Sequence, residues 1–294
     1  MSVQSASVPP VTTAARGRLG TMAQAATLVA LLAATYYRTA AELWTIWTTN
    51  DNYSHGPLIP LVSAVLVWLR RHDLAKAGVH PDARGLAVLA LGCAMQVLGI
   101  RADLFALEGW SLIVVLYGLV LTFLGVPATR VLAFPIGYLV FMLTFPPILM
   151  NQISYALKEI TVQVSTRAAE ALGVTLQRSG MTLYLASGEL RMENPCSGLR
   201  SLLALLATGA VFAYLQPGGW WRKAIILFSA VPIAMIGNAV RITLVIVVGH
   251  YVGVKEAAGQ FHDLSGYVIY LVALIGLLGV RALLSPKPRA KAAP

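Results

Sequence analysis

Apolar runs compatible with about 20 residues of helix recur from one end of this chain to the other, near 21–40, 54–69, 84–101, 109–126, 130–146, 197–215, 223–249 and 264–284. Roughly 20 residues rising about 1.5 Å each cross the hydrocarbon core of a bilayer, so each run is a candidate span. The second is the weakest, because Pro57 and Pro60 fall in its first turns and only 57–69 is clearly apolar. Charge agrees with the runs: 12% of the 294 residues are charged, against roughly 25% in a soluble domain. These features exclude a soluble enzyme on a single anchor, an outer-membrane barrel and a disordered chain. The expected fold is an all-α polytopic membrane protein of about eight transmembrane helices.

The net charge of +10 would suggest nucleic acid in a soluble protein, but in a membrane protein its partition between loops carries the information, and no nucleic-acid partner is expected. With a cytoplasmic N-terminus, thirteen Lys and Arg fall in inner segments and six in outer ones, while ten of the twelve acids fall outside. That is the bias of an inner-membrane protein, and it puts both termini in the cytoplasm only for an even number of spans. Residues 1–20 read as a disordered cytoplasmic tail and not as a cleavable signal, since the run that follows is too long for one. Residues 21–146 then form an N-terminal transmembrane bundle, 147–195 an extracytoplasmic segment, 196–284 the last transmembrane helices, and 285–294 a basic cytoplasmic tail.

Within the outer segment, Ile153, Ala156, Leu157, Ile160, Val164 and Ala168 recur at helical spacing. This predicts an amphipathic helix over 151–172, lying on the membrane surface or capping the bundle. Over 174–193 polar and apolar residues alternate, with turn signals at Ser179-Gly180 and Ser187-Gly188. Short strands or a hairpin are expected there.

The chain has two cysteines. Cys93 lies near the middle of the third run and Cys196 at the outer end of the sixth, a depth difference of roughly 12 Å where a disulfide tolerates about 7 Å between Cα atoms. They should not pair, and Cys93, between Gly92 and Ala94, reads as a small packing residue. In Glu193-Asn194-Pro195-Cys196-Ser197-Gly198-Leu199-Arg200, Asn194 suits an N-cap and Pro195 a first helical position. Cys196 would then sit in the first helical turn, where free N–H groups favour a thiolate, and Arg200, one turn deeper, adds positive potential. An ordinary buried cysteine beside a helix cap would look the same.

Arg241 lies inside an apolar span, with Asn238 three residues earlier on the same face. An intramembrane arginine is costly and must face a bundle or a wet cavity, as a functional group or as half of a structural hydrogen-bonding pair. His262 falls in the outer loop 251–263, ahead of the eighth span, with Asp263 as a helix cap. A thiol and an imidazole on one membrane face are the minimum set for a cysteine nucleophile and its base. His55, Cys196 and His262 could also be metal ligands, but no H-E-x-x-H, C-x-x-C or i, i+4 histidine pair occurs, so neither a metal nor a cofactor is expected. A Gly-x-Ser-x-Gly nucleophile is absent, and no inverted repeat supports a transporter.

Taken in order, Tyr53-Ser54-His55-Gly56-Pro57, Trp68-Leu69-Arg70-Arg71, Asn194-Pro195-Cys196-Ser197-Gly198-Leu199-Arg200, Asn238-Ala239-Val240-Arg241 and Phe261-His262-Asp263-Leu264-Ser265-Gly266 resemble the exosortase/archaeosortase family of membrane cysteine transpeptidases. The resemblance covers about 40–284. It implies a catalytic Cys196, Arg241 and His262 open to the extracytoplasmic face, with Arg200, Asn238 and His55 as accessory or substrate-binding groups. It also implies substrates that are exported, membrane-anchored proteins with a C-terminal sorting signal: a short motif such as Pro-Glu-Pro, a transmembrane helix, then basic residues. The acceptor would be a lipid or polysaccharide, or water. The competing expectation is a non-enzymatic envelope transport or assembly protein, in which Cys196 is dispensable.

Overall fold

The computed structural model describes residues 12–191 and 198–285. The chain divides into two units, one up to Trp44 and one from Thr45. Helix α1 (Thr12–Thr49) makes up the described part of the first and runs into the second. Within the second unit, α2 (Leu58–Leu69) and the short α3 (Arg71–Ala77) precede α4 (Arg84–Ala102) and α5 (Phe105–Tyr138). Next come α6 (Pro147–Ala171), strands β1 (Leu176–Ser179), β2 (Thr182–Leu185) and β3 (Gly188–Arg191), α7 (Leu199–Leu215), α8 (Trp220–Tyr251), α9 (Val254–Ala258) and α10 (Gln260–Leu284).

Among the described residues, four helical stretches are long and apolar enough to cross a membrane: Arg84–Ala102, Phe105–Met142, Trp220–Tyr251 and Leu264–Leu284. Leu199–Leu215 is a shorter apolar helix. The chain is therefore a mostly helical, multi-pass membrane protein. On α10, Leu264, Tyr267, Val268, Leu271, Val272, Ile275 and Leu278 form an exposed stripe. At about 1.5–3 kcal/mol per large apolar side chain, leaving that stripe in water would cost roughly 10–20 kcal/mol. Lipid removes the cost.

The stretch Phe105–Met142 covers two of the expected spans, and it is broken between them. Gly125 has φ 83 and ψ −177, outside the helical region, and Tyr117 donates its hydroxyl proton to the Ala133 carbonyl, 16 residues on. Sixteen residues of straight helix would span about 24 Å, so the chain must reverse at Gly125. The first half of α5 packs on α4 at very short range: a Cβ at Gly85 would lie 2.3 Å from the Thr122 nitrogen, one at Gly92 2.7 Å from a Val115 methyl and one at Gly99 2.8 Å from Glu108. These glycines are seven residues apart, so small residues recur along one seam and let the two backbones approach closely, as membrane helices require. The Ser111 hydroxyl bonds Gln96 Oε1 across the same buried seam at 2.7 Å. Cys93 is exposed, so the packing role expected of it belongs to Gly92.

Helix α6 buries only part of its expected apolar stripe: Ile153 and Leu157 pack inward, against the cluster of Tyr53, Leu199 and Leu203. Its buried residues are Thr161, Val162, Ser165, Thr166 and Ala169, while Ile160 and Val164 of the expected apolar stripe are exposed. The alternating segment forms a three-stranded antiparallel sheet in the order β1-β2-β3, one strand more than a hairpin. Leu183, Leu185 and Leu190 of the sheet share a core with Val162 and Ala169 of α6, Ile242, Val245 and Ile246 of α8, and Ala257 of α9. Ser187 closes it by donating to the Gly249 carbonyl at 2.5 Å, and Arg178 of β1 pairs with Glu159 of α6 at 2.6 Å.

Candidate active site

An open three-stranded sheet has unpaired edges, and lipid-exposed sheet edges do not occur in the hydrocarbon region. The sheet therefore marks where the membrane ends, and its core reaches down α8 to Ile242. Arg241, the next residue, lies just below that cap, where an arginine is less costly than at mid-bilayer.

Gly198 precedes α7 with φ 73 and ψ 4, a left-handed conformation that glycine adopts freely. Helix α7 accordingly starts at Leu199. Asn194, Pro195 and Cys196, with the expected cap, lie outside the described residues. Gly198 is also a point of close approach: a Cβ there would come within 2.7 Å of Asn238 Nδ2 and 2.8 Å of its Cγ. The Asn238 side chain, in a residue only 4% exposed, thus lies directly against the backbone two residues after Cys196. Its Nδ2 donates to Thr161 Oγ1 of α6 at 3.3 Å. One turn along α6, Ser165 donates to the Ala239 carbonyl at 2.9 Å.

Arg241 is one turn further along α8, and its guanidinium lies against α10. A Cβ at Gly266 would meet Nη2 at 3.2 Å and Cζ at 3.3 Å. His262 stands four residues before Gly266, one turn toward the helix start on the same face; its side chain lies outside the described residues. The expected loop is helical here: α10 begins at Gln260 after a Gly259 N-cap, which puts His262 and Asp263 inside its first turn and leaves Asp263 off the capping position.

Two clefts flank Asn238. One, of about 280 Å³ including open solvent, lies between α7, α8 and α10 and is lined by Ser201, Asn238, Arg241, Gly266 and Tyr270 among others. The other, of about 190 Å³, lies between α6, α7 and α8 beside Thr161, Gly198, Leu202 and Met235. Ala234 and Asn238 line both. Among the described residues, no group of three His, Cys, Asp or Glu side chains could hold a metal ion.

The other two accessory residues meet at the turn between α1 and α2, His55 within it and Arg200 reaching it from α7. Arg200 donates through Nε to the Asp51 carbonyl at 2.7 Å and forms an ion pair with the Asp51 carboxylate, so its charge is directed to this turn and partly neutralised there. The turn docks on α7 through Tyr53, which packs with Leu199 and Leu203, and on the segment after α5, where Phe145 N–H donates to the Tyr53 hydroxyl at 3.3 Å. In that turn, outside the spanning helices, burial pushes His55 below the ordinary histidine range, with a backbone hydrogen bond at Phe141 working the other way. His55 Nδ1 is buried without a hydrogen-bond partner, which suits a neutral ring.

Thr161, Ser165 and Tyr270 do not stand out in the sequence, whereas Gly266 closes the motif that begins at Phe261. Thr161 and Ser165 are two of many polar residues in an amphipathic helix, so nothing in the sequence sets them apart, and Tyr270 is placed by helix pairing alone.

Fold and site together define a helical multi-pass membrane protein in which α7, α8 and α10 meet beneath a small sheet. Residues 47–279 match the family described as transmembrane exosortase (Exosortase_EpsH), and the chain belongs to that family. Exosortases are generally membrane cysteine transpeptidases. No curated protein and no solved structure matches the chain.

Proposed function

We propose that the protein is a membrane-embedded cysteine peptidase and transpeptidase that cleaves C-terminal sorting signals of exported proteins. The observation that carries this reading is the convergence of three motif segments around α8: the Asn238 side chain rests on Gly198, two residues after Cys196, and Arg241 rests on Gly266, one turn from His262. In this reading the Cys196 thiolate attacks the scissile carbonyl and Arg241 donates to the oxyanion. His262 holds the thiol proton and passes it to the leaving amine, which departs as the thioester forms. A nucleophile on a lipid or polysaccharide acceptor, or water, then loses its proton to His262, attacks the thioester and releases the Cys196 thiol.

The same reading has eight crossings, made by α1, α2, α4, the two halves of α5, α7, α8 and α10, in the cytoplasmic membrane. Both termini are cytoplasmic and the sheet is outside, on the strength of the Lys and Arg partition. It keeps 21–146 as a supporting bundle and 196–284 as the catalytic helices. Cells expressing Cys196→Ala together with a tagged sorting-signal protein should accumulate the uncleaved form, read by gel shift. Wild-type cleavage by Cys196→Ala would overturn the enzymatic reading and leave a transport or assembly role.

A further inference from the structure

Resting on that catalytic reading, we propose that Thr161 of α6 is a positioning residue, acting through the Asn238 amide to fix the backbone that carries the Cys196 nucleophile. Thr161 is 5% exposed and Asn238 4%, and they are joined by the 3.3 Å hydrogen bond. Buried polar groups in such a site hold their orientation only while each has its partner. The amide so held lies against Gly198, whose positive φ of 73 leaves it freer to pivot than any other residue type. Two peptide units separate Gly198 from Cys196, so covalent geometry ties the Cys196 Cα to within about 7 Å of this pivot. A pivot that turns carries the thiol with it.

Ser165 ties the next turn of α6 to the Ala239 carbonyl, so the two helices stay in register when the Thr161 hydroxyl is removed. Loss of that hydroxyl should therefore act on the amide and the turn it supports, and not on the packing of α6. Thr161 is a positioning and not a catalytic residue, because it reaches the reacting atoms only through Asn238.

The test uses the full chain in bilayers with Cys93→Ala, which leaves Cys196 as the one thiol. Thr161→Val keeps the shape and removes the hydroxyl, whereas Thr161→Ser keeps the hydroxyl. Since a displacement of about 1 Å at a reacting centre can cost up to about a hundredfold, Thr161→Val should lower kcat about tenfold with KM within about twofold. It should also move the pH midpoint of Cys196 alkylation by a small iodoacetamide, and Thr161→Ser should restore both to within about threefold. If Thr161→Val does not assemble, Thr161→Ala makes the same comparison. A Thr161→Val protein with wild-type kcat and alkylation profile, or a Thr161→Ser protein as impaired as the valine variant, overturns the proposal. So does a variant that loses folded protein while the rest titrates as wild type. Alkylation does not depend on turnover: cleavage by Cys196→Ala would overturn the catalytic reading, while the alkylation profile would still decide the role of Thr161.

Discussion

Arg241 shows at the scale of one residue how surroundings decide what a charge can do. Its guanidinium lies against a glycine that leaves no side chain between them, and it lines the open cleft between α7, α8 and α10. A planar fork in such a place can direct two N–H groups at one oxyanion, and an ammonium cannot. Arg241→Lys should therefore cut processing by roughly ten- to a hundredfold although charge is kept, because lost oxyanion donors cost that order or more. Normal processing by Arg241→Lys, measured as rate of product formation, would leave Arg241 a structural role. His55 gives a prediction of a different kind. Burial lowers its affinity for protons in the folded state, so the unfolded chain protonates first as pH falls. Its contribution to stability is complete above the unfolded value of about 6.5 and is lost as pH falls toward the lower folded value. Melting temperature in detergent should drop between about pH 7.5 and pH 5.5, and His55→Gln should show a smaller drop. An equal drop in the variant would place the acid sensitivity elsewhere.

Among elements, the α4–α5 seam and α6 show what a sequence makes legible in a membrane protein and what it hides. Apolar run length located α4, α7, α8 and α10 and separated the two halves of α5, because it tests one physical requirement, the thickness of the bilayer. The sheet was legible as alternation with turn glycines, but a third strand of four residues adds little signal to a hairpin. The orientation of α6 was legible only in part: Ile153 and Leu157 of the periodic stripe pack inward, whereas Ile160 and Val164 do not. Hydrogen bonds from Asn238 to Thr161 and from Ser165 to the Ala239 carbonyl hold the polar side of the helix against α8 and leave Ile160 and Val164 outside. Arg241 and Asn238 stood out because polar groups within a span need partners, whereas their partners Thr161 and Gly266 are set by which helices meet. The seam itself is testable. A leucine at Gly92 would press its side-chain carbons against the Val115 methyl and backbone, and overpacking of this kind costs typically about 1–3 kcal/mol. Gly92→Leu should lower the melting temperature in detergent, whereas Cys93→Leu, on the exposed side of the same turn, should leave it nearly unchanged. Similar melting of the two variants would mean that the hairpin does not depend on this close approach.

On the scale of the whole molecule, the proposed site suits a membrane-bound substrate that presents its peptide bond near the membrane surface. Its parts come from the starts of α7 and α10 and the interior of α8, beneath a sheet whose core is continuous with α6, α8 and α9. A nucleophile at the end of a span reaches a peptide bond only where a substrate helix leaves the bilayer, so the substrate should lie in the membrane beside α8 and α10. Its short motif would then sit under the segment 151–193. The exposed apolar stripes of these helices, Ile236, Val240 and Leu244 on α8 and Leu264, Val268 and Leu271 on α10, offer such a helix the same apolar contact as lipid. Binding by the stripes alone would be weak for that reason, and the motif under the sheet should supply selectivity. At the opposite end, Arg70, Arg71, Arg222 and Lys223 should repel the basic tail of a substrate, which anionic lipid would hold instead. Photo-crosslinkers placed along the first two turns of the substrate helix should label α8 and α10, and one placed in the motif should label the 151–193 segment. Labelling confined to cytoplasmic loops, with none on the helices that carry Asn238, Arg241 and Gly266, would rule out docking from within the membrane.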